Sequence, residues 1–109
     1  MIINVDAALN RMDGDRELFE ELCRIFLSDY SHYFEEIDKA WKEQNSREIE
    51  KLGHKIKGAA RNISAVEIAE SAQKIEEIGR ESRLEEIPLA LENLKPVIEI
   101  LKIIWKKMF

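Results

Sequence analysis

The amino-acid sequence predicts an all-α protein: an antiparallel up-down four-helix bundle with short additional N-terminal helices. Apolar residues recur at steps of three and four along nearly the whole chain, and the strict alternation of a β-strand is absent. The 109 residues include 4 glycines and 2 prolines, too few turn-forming residues for an all-β fold. Long amphipathic segments with short connections favour bundle packing, and we expect residues 1–109 to form one domain.

The N-terminal part of the chain predicts a short helix followed by longer ones. The first helix is expected from about Asp6 to Met12, and a turn follows at residues 13–15. Asp15 is a good N-cap for the next helix, because its side chain can accept from a free backbone N–H. The apolar residues of that helix have helical spacing: Leu18, Phe19, Leu22, Ile25 and Phe26. We expect a break or bend near Ser28–Ser31, after which a further helix carries Tyr30, Tyr33, Phe34, Ile37, Ala40 and Trp41.

The next helix begins after residues 44–46. Asn45 and Glu48 have the spacing of a capping box, although Ser46 is an alternative cap. Its apolar residues form a single stripe: Ile49, Leu52, Ile56, Ala59 and Ile63. Residues 62–65 are expected to close this helix.

Two more segments complete the predicted bundle. The first has a stripe of Ile68, Ala72, Ile75 and Ile78. A turn is expected at Gly79–Ser82, and Ser82 with Glu85 again has capping-box spacing. The last segment contains Pro88 and Pro96, yet its apolar pattern keeps one register through both prolines. We therefore expect one long, locally bent helix with a stripe of Leu84, Ile87, Leu91, Leu94, Ile98, Leu101, Trp105 and Met108.

Composition and charge exclude several functional classes. The net charge of −5 argues against nucleic-acid binding, and no apolar run is long enough for a membrane span. The start of the chain lacks the pattern of a signal peptide. Cys23 is the single cysteine, so an internal disulfide is excluded. The absence of a disulfide suits a cytoplasmic location, and we expect Cys23 to pack in the core. No metal site is expected, because the two histidines have no suitable neighbours, and His32 is interpreted as a surface or boundary residue. Trp41 and Trp105 have core spacing.

A motif of five residues on the helix with the Ile49–Ile63 stripe carries the chemistry: His54, with Lys57 at i+3 and Gly58 at i+4. At about 100° per residue, His54 points opposite to the apolar stripe and should be exposed, with Lys57, Gly58 and Arg61 on the same outer face. A neutral imidazole is a nucleophile that can attack phosphorus and form a phosphoramidate. Lys57 could offset phosphoryl charge, and Gly58 leaves space for a partner's active site.

The surroundings of His54 are locally basic. Residues 45–65 contain five cations and two anions, although the whole chain is acidic. Lys51, Lys55 and Arg61 are therefore candidates for contacting an acidic partner. The alternative is that these residues belong to an ordinary solvated helix face.

The segment from His54 to Ala65, HKIKGAARNISA, resembles the signature of histidine-containing phosphotransfer (HPt) domains of bacterial phosphorelays. The resemblance covers nearly the whole chain. It implies a four-helix bundle with His54 as phosphoacceptor and with Lys57 and Gly58 at matching positions. It also implies exchange of the phosphoryl group with an aspartate of a response-regulator receiver domain, which supplies the magnesium.

The chain departs from the resemblance at three positions. Ala59 and Ala60 stand where many members have small hydroxyl residues, and Ser64 stands where many have glycine. The last difference bears on the turn after the helix, because serine enters the left-handed conformation less readily than glycine.

Three functional hypotheses remain from the sequence. The chain is a phosphorelay carrier, a helical adaptor that binds a receiver domain without being phosphorylated, or the phosphoacceptor domain of a larger hybrid or chemotaxis-type sensor kinase. An ATP-binding kinase domain has no room in 109 residues, so the chain itself is expected to be a carrier and not an enzyme. A hybrid sensor kinase is then a second expected partner, and no cofactor of the chain's own is expected.

Overall fold

The computed structural model describes residues 3–108, which contain five α-helices, one 3₁₀ turn and no β-strand. The helices are α1 (Val5–Arg11), α2 (Arg16–Lys42), α3 (Ser46–Asn62), α4 (Val66–Arg80) and α5 (Ile87–Met108), and the 3₁₀ turn at Leu84–Glu86 precedes α5. The first two residues and the last residue of the predicted domain lie outside the described range.

Helices α2 to α5 form the predicted antiparallel bundle, and this prediction is confirmed. Helix α2 packs against α3 and α5, and α4 packs against the same two helices. Helices α3 and α5 therefore occupy diagonal corners of the bundle. The 27 residues of α2 should span about 40 Å, which matches the 42 Å long axis of the molecule. No helix in the described part of the chain has the length and apolarity required to cross a membrane.

Helix α2 is continuous through Ser28–Ser31, so the predicted break there is wrong, whereas a bend there stays a prediction. The core-facing residues keep one helical register across this segment, from Phe26 to Ile37. Ser28 and Ser31 are exposed, where their hydroxyls do not disturb the packing. One short helix, α1, therefore precedes the bundle within residues 3–108, where the sequence predicted more than one.

Side-chain caps begin two helices, α2 and α3, as predicted. The Asp15 carboxylate accepts from the backbone N–H of Leu18 at 3.0 Å and starts α2. Asn45 accepts from the N–H of Glu48 at 3.1 Å, so Asn45 is the N-cap of α3 and Ser46 is its first residue. These bonds satisfy donors that the first helical turn leaves without an intrahelical partner.

Each of the helices α1 to α4 is followed by a residue with positive φ: Asp13, Gln44, Ser64 and Ser82. The backbone bonds around them are those of the Schellman motif; for example, the N–H of Ala65 donates to the carbonyl of Ala60 at 2.9 Å. Ser64 thus adopts the left-handed conformation, with φ 54°, although it is not glycine.

Two predictions about the turn after α4 are wrong. Gly79 lies inside α4 and is buried, because it packs against α3. The Ser82–Glu85 capping box does not form: Ser82 takes the left-handed position that ends α4, and Arg83 precedes the 3₁₀ turn without a side-chain cap.

The final helix runs through Pro96, as the uninterrupted apolar register predicted. Pro88 lies in the first turn, where a missing N–H is tolerated. Leu84 belongs to the preceding 3₁₀ turn, and its carbonyl accepts from the indole N–H of Trp41 at 3.0 Å. Whether the helix is bent at its prolines stays a prediction.

The core lies between the four long helices and contains most of the predicted apolar stripes. Leu18 and Ile25 of the predicted α2 stripe are exceptions: they are 43% and 42% exposed, so the prediction that they share the core-facing stripe is wrong. Trp41 and Trp105 are half-buried and pack against its edge. Cys23 is buried and not in a disulfide, and burial raises the pKa of its thiol to about 12. The prediction that Cys23 is a packing residue is confirmed, and such a thiol is unreactive near neutral pH.

Candidate functional site

Two glycines bring the backbones of α3 and α4 into close contact. A Cβ atom on Gly53 would lie 2.8 Å from the Cα of Glu76, and a Cβ on Gly79 would lie 2.8 Å from the Cα of Glu50. Both separations are too short for any side chain. The two contacts are reciprocal, since each glycine lies three residues after the acidic residue that the other glycine touches. This spacing lets a short side chain of α4 reach the outer face of α3.

Glu76 is that side chain, and it joins the two predicted site residues. Its carboxylate oxygen Oε2 lies 2.8 Å from His54 Nδ1, and Oε1 lies 2.5 Å from Lys57 Nζ. Arg80 approaches Oε2 at 3.8 Å. Glu76 is 4% exposed, whereas the His54 side chain is 71% exposed. The predicted exposure of His54 is confirmed, and the ring is anchored at one nitrogen by a buried carboxylate.

Lys57 is not on the open outer face where the sequence placed it, and that prediction is wrong. Its side chain is 12% exposed and extends toward α4. The ammonium donates to Glu76 and also to the amide oxygen of Gln73 at 2.9 Å. A long, flexible stem lets lysine turn toward buried acceptors on a neighbouring helix, which rotation angles about a single helix do not reveal.

The charge state of Glu76 follows from two opposing effects. Burial alone raises the pKa of this carboxyl group. The hydrogen bonds from Lys57 and His54, together with their charges, outweigh burial and hold the pKa below its ordinary value. Glu76 is therefore ionised near neutral pH, and an ionised carboxylate can only accept hydrogen bonds.

The tautomer of His54 follows from this charge state. Because Glu76 can only accept, Nδ1 of His54 must carry the proton in their 2.8 Å hydrogen bond. In the neutral ring, Nε2 then has the free lone pair. Nε2 is thus the ring nitrogen that is available to act as a nucleophile, on a side chain that is mostly open to solvent.

The other predicted site residues differ in their positions relative to His54 and Glu76. Gly58 is exposed, and a Cβ atom there would meet nothing within 4 Å. Lys51 and Arg61 are exposed on the same helix, and the Arg61 carbonyl accepts from Arg11 of α1. Lys55 is directed toward α2, with its Nζ 5.8 Å from the centre of the Tyr33 ring, so the structure does not bring it to Glu76.

The second histidine behaves as predicted. His32 is exposed on α2, and its Nε2 lies 2.6 Å from a carboxylate oxygen of Glu36 on the next turn. No group of three or more potential metal ligands occurs among residues 3–108.

Sequence reasoning missed Glu76 and Gln73. A signal for Glu76 was present: it lies four residues after Ala72 and three before Gly79, in line with the buried stripe of α4. A carboxylate at a core position calls for a charged partner, because an unpaired buried charge is costly. Gln73 carries no comparable signal, since a polar residue beside the stripe is ordinary.

Comparison with known proteins shows the family of the chain. A family model described as "Hpt domain" matches residues 21–103. The chain belongs to the Hpt domain family. Among curated proteins, this Hpt domain is 33% identical over 85 residues to the phosphorelay intermediate protein YPD1 of Candida albicans. The match covers 77% of the chain and 45% of YPD1, so the chain spans less than half the length of that relative.

A solved structure has the same fold as this Hpt domain. It is the crystal structure of histidine-containing phosphotransfer protein B (HptB) from Pseudomonas aeruginosa PAO1, with a TM-score of 0.88 at 19% sequence identity. The match covers 98% of this chain and 93% of HptB. At this identity the likeness establishes the shared helical bundle.

Proposed function

We propose that this Hpt domain is a phosphorelay carrier that accepts a phosphoryl group on Nε2 of His54. The observation that supports the proposal best is the exposed imidazole with Nδ1 bonded to the buried carboxylate of Glu76. A surface histidine without a role would not need a buried, ionised partner from the neighbouring helix. YPD1 is named as a phosphorelay intermediate, which agrees with this function.

The transfer step needs no proton movement in the chain. The lone pair of Nε2 attacks the phosphorus of an aspartyl phosphate on a receiver domain. An N–P bond forms, the P–O bond to the aspartate breaks, and the carboxylate leaves. The ring keeps its proton on Nδ1 and becomes cationic, and Glu76 offsets that charge at 2.8 Å. The reverse sequence returns the phosphoryl group to an aspartate.

Lys57 and Gly58 have separate parts in the proposal. The Lys57 ammonium contacts the same Glu76 carboxylate as Nδ1 of His54, so its positive charge lies near the imidazole and favours a phosphoryl group there. In the unphosphorylated domain the ammonium donates hydrogen bonds to Glu76 and Gln73. Gly58 leaves the surface beside the imidazole open, so that the receiver's active site can approach Nε2.

Partner proteins would supply the other groups that the phosphoryl transfer requires. We propose that the receiver domain provides the aspartate and its magnesium ion, and that Lys51, Lys55 and Arg61 face its acidic pocket. The ATP chemistry would belong to a sensor kinase, either a separate hybrid kinase or one of which this domain is a part. A cytoplasmic location is part of the proposal, and the unpaired Cys23 is compatible with it.

The test is to mix the domain with a phosphorylated receiver domain and to measure an acid-labile, alkali-stable phosphoryl label on the chain. We expect the label on the wild type and none on His54→Gln. The Glu76→Gln variant should still be labelled, but more slowly, because a neutral amide offsets the ring charge less well. A complex between the two proteins without any label would favour the adaptor hypothesis and contradict the carrier.

Two further variants separate steric access from charge. Gly58→Trp should block labelling while the helix content stays unchanged, because an indole would fill the open space beside His54. Lys57→Ala should slow labelling more than Lys51→Ala. Equal effects of the two lysine substitutions would show that general positive charge matters and that the position of Lys57 does not.

A further inference from the structure

Helix α5 has a second stripe on the face that points away from the core. Its members, here called the outer stripe, follow steps of four and three residues: Leu89, Asn93, Pro96, Ile100, Ile103 and Lys107. All six are exposed. Alternating steps of four and three are the spacing of the contact seam in a coiled coil.

The outer stripe is more apolar than the bundle requires. Leu89 is 60% exposed, Ile103 is 54% exposed and Ile100 is 45% exposed, although Leu94, Ile98 and Leu101 already fill the core-facing side of α5. Three of the six exposed large hydrophobic side chains found among residues 3–108 therefore lie on this one line. A helix that is apolar on two opposite sides is typical of one that is covered on both.

We propose that the outer stripe pairs with the outer stripe of a second copy of this chain, in antiparallel orientation, to form a two-fold symmetric dimer. When the two-fold axis passes near residue 98, each position of the outer stripe lies opposite another position of the same stripe in the second copy. Leu89 then meets Lys107 of the second copy, whose aliphatic stem can cover it, and Pro96 meets Ile100. Such an isologous contact closes on itself and stops at two copies.

The charges beside the stripe select the antiparallel orientation. Glu92 flanks its first half and Lys106 flanks its second half, and both are exposed. Antiparallel pairing places each Glu92 next to Lys106 of the other copy, whereas parallel pairing would leave these two charges roughly 21 Å apart along the helix axes. Glu99 meets its equivalent near the axis, but its carboxylate already accepts from Lys102 at 3.3 Å.

The proposed contact leaves the candidate site open. Because α3 and α5 occupy diagonal corners of the bundle, a dimer formed through α5 presents both His54 side chains away from the interface. The contact uses one helix face and few large apolar residues. We therefore expect weak association, with a dissociation constant on the order of 10 μM. The inference is independent of the proposed function.

Sedimentation velocity over a concentration series around that constant tests the dimer. We expect the mass to rise from the monomer value of 12.8 kDa toward twice that value. Ile100→Glu should keep the chain monomeric. Ile25→Glu is the matched control, because Ile25 is exposed to nearly the same extent, 42%, but lies on α2. It should leave the association unchanged, and circular dichroism should show that both variants are folded.

A charge exchange tests the orientation. Lys106→Glu should weaken the dimer by several-fold, and adding Glu92→Lys to it should restore wild-type association. The proposal is overturned if the wild type stays monomeric at every concentration, if Ile25→Glu acts like Ile100→Glu, or if the double variant associates no better than Lys106→Glu alone.

Discussion

Two of the four helix–helix seams of the bundle, α3–α4 and α2–α5, are built in opposite ways. In the α3–α4 seam, Gly53 and Gly79 let the backbones touch, and a buried carboxylate bridges the helices. In the α2–α5 seam, large side chains keep the backbones apart. There the Lys102 ammonium lies 4.4 Å from the centre of the Tyr30 ring, and Lys95 lies 5.7 Å from that of Phe34.

The difference shows where the molecule requires an exact distance. Glu76 has a short side chain, so it reaches Nδ1 of His54 at 2.8 Å because the two helices are close. Long, flexible side chains across the α2–α5 seam can follow a small shift of either helix without losing contact. We therefore expect the α3–α4 seam to be intolerant of added volume and the α2–α5 seam to be tolerant.

Gly53→Ala should have the largest effect. The added Cβ would lie 2.5 Å from the backbone nitrogen of Glu76, so α3 and α4 must separate. We expect a loss of about 3 kcal/mol in the free energy of unfolding, measured by urea denaturation. The shift should also lengthen the bond between His54 and Glu76 and slow phosphoryl transfer.

Gly58→Ala is the matched control on the same helix. A Cβ there meets nothing within 4 Å, so the substitution should stabilise α3 by up to about 1 kcal/mol through its higher helix propensity. If both alanine variants changed stability alike, the close contact at Gly53 would not be a constraint.

Glu76→Gln should have the next largest effect and should depend on pH. The folded-state pKa of Glu76 is lowered, so its charge stabilises the fold above the ordinary glutamate pKa of about 4.3. That contribution is lost as the pH falls through the lower, folded-state pKa. We expect the variant to be less stable than the wild type by about 2 kcal/mol at pH 7.

The same variant should approach the wild type in stability in acid, because protonation removes the charge that the substitution removes. Urea denaturation at pH 7 and in a series of more acidic buffers measures both differences. A difference that stays constant across the series would show that Glu76 acts through packing and not through its charge.

The comparison of the seams also explains which features the sequence could predict. The exposure of His54 depends on helical periodicity, and the Asp15 and Asn45 caps depend on residues three positions away. Such local features were predicted correctly. The position of Lys57 and the partner of His54 depend on which residue of α4 lies opposite, and a single helix pattern does not contain that information.

Gly79 shows the same limit of prediction from a single helix pattern. Glycine is the residue most often found just after a helix, so the sequence favoured a turn there. The chain instead uses Ser82 for the left-handed position and Gly79 for contact with α3. The contact between α3 and α4 therefore determined the position of this glycine, and the preference of glycine for helix ends did not.

Ser64→Gly should stabilise the connection between α3 and α4. Ser64 has φ 54° and is 5% exposed, and its buried hydroxyl has no hydrogen-bond partner within residues 3–108. Glycine removes both the left-handed strain and the unpaired hydroxyl, although it adds freedom to the unfolded chain. We expect a net gain of about 1 kcal/mol in the free energy of unfolding. Ser82→Gly is the control for strain alone, because Ser82 has the same conformation but is exposed.

Tyr30→Phe should have the smallest effect, because it tests the tolerant seam. The substitution keeps the ring that packs edge-on against Phe34 at 5.8 Å, and it removes the hydroxyl that accepts from Lys102. The ammonium can turn to solvent or to Glu99, so no buried group loses its partner. We expect the melting temperature to change by no more than about 2 °C. A loss as large as that of Gly53→Ala would mean that α2 and α5 also depend on one exact polar contact, and the contrast between the two seams would be wrong.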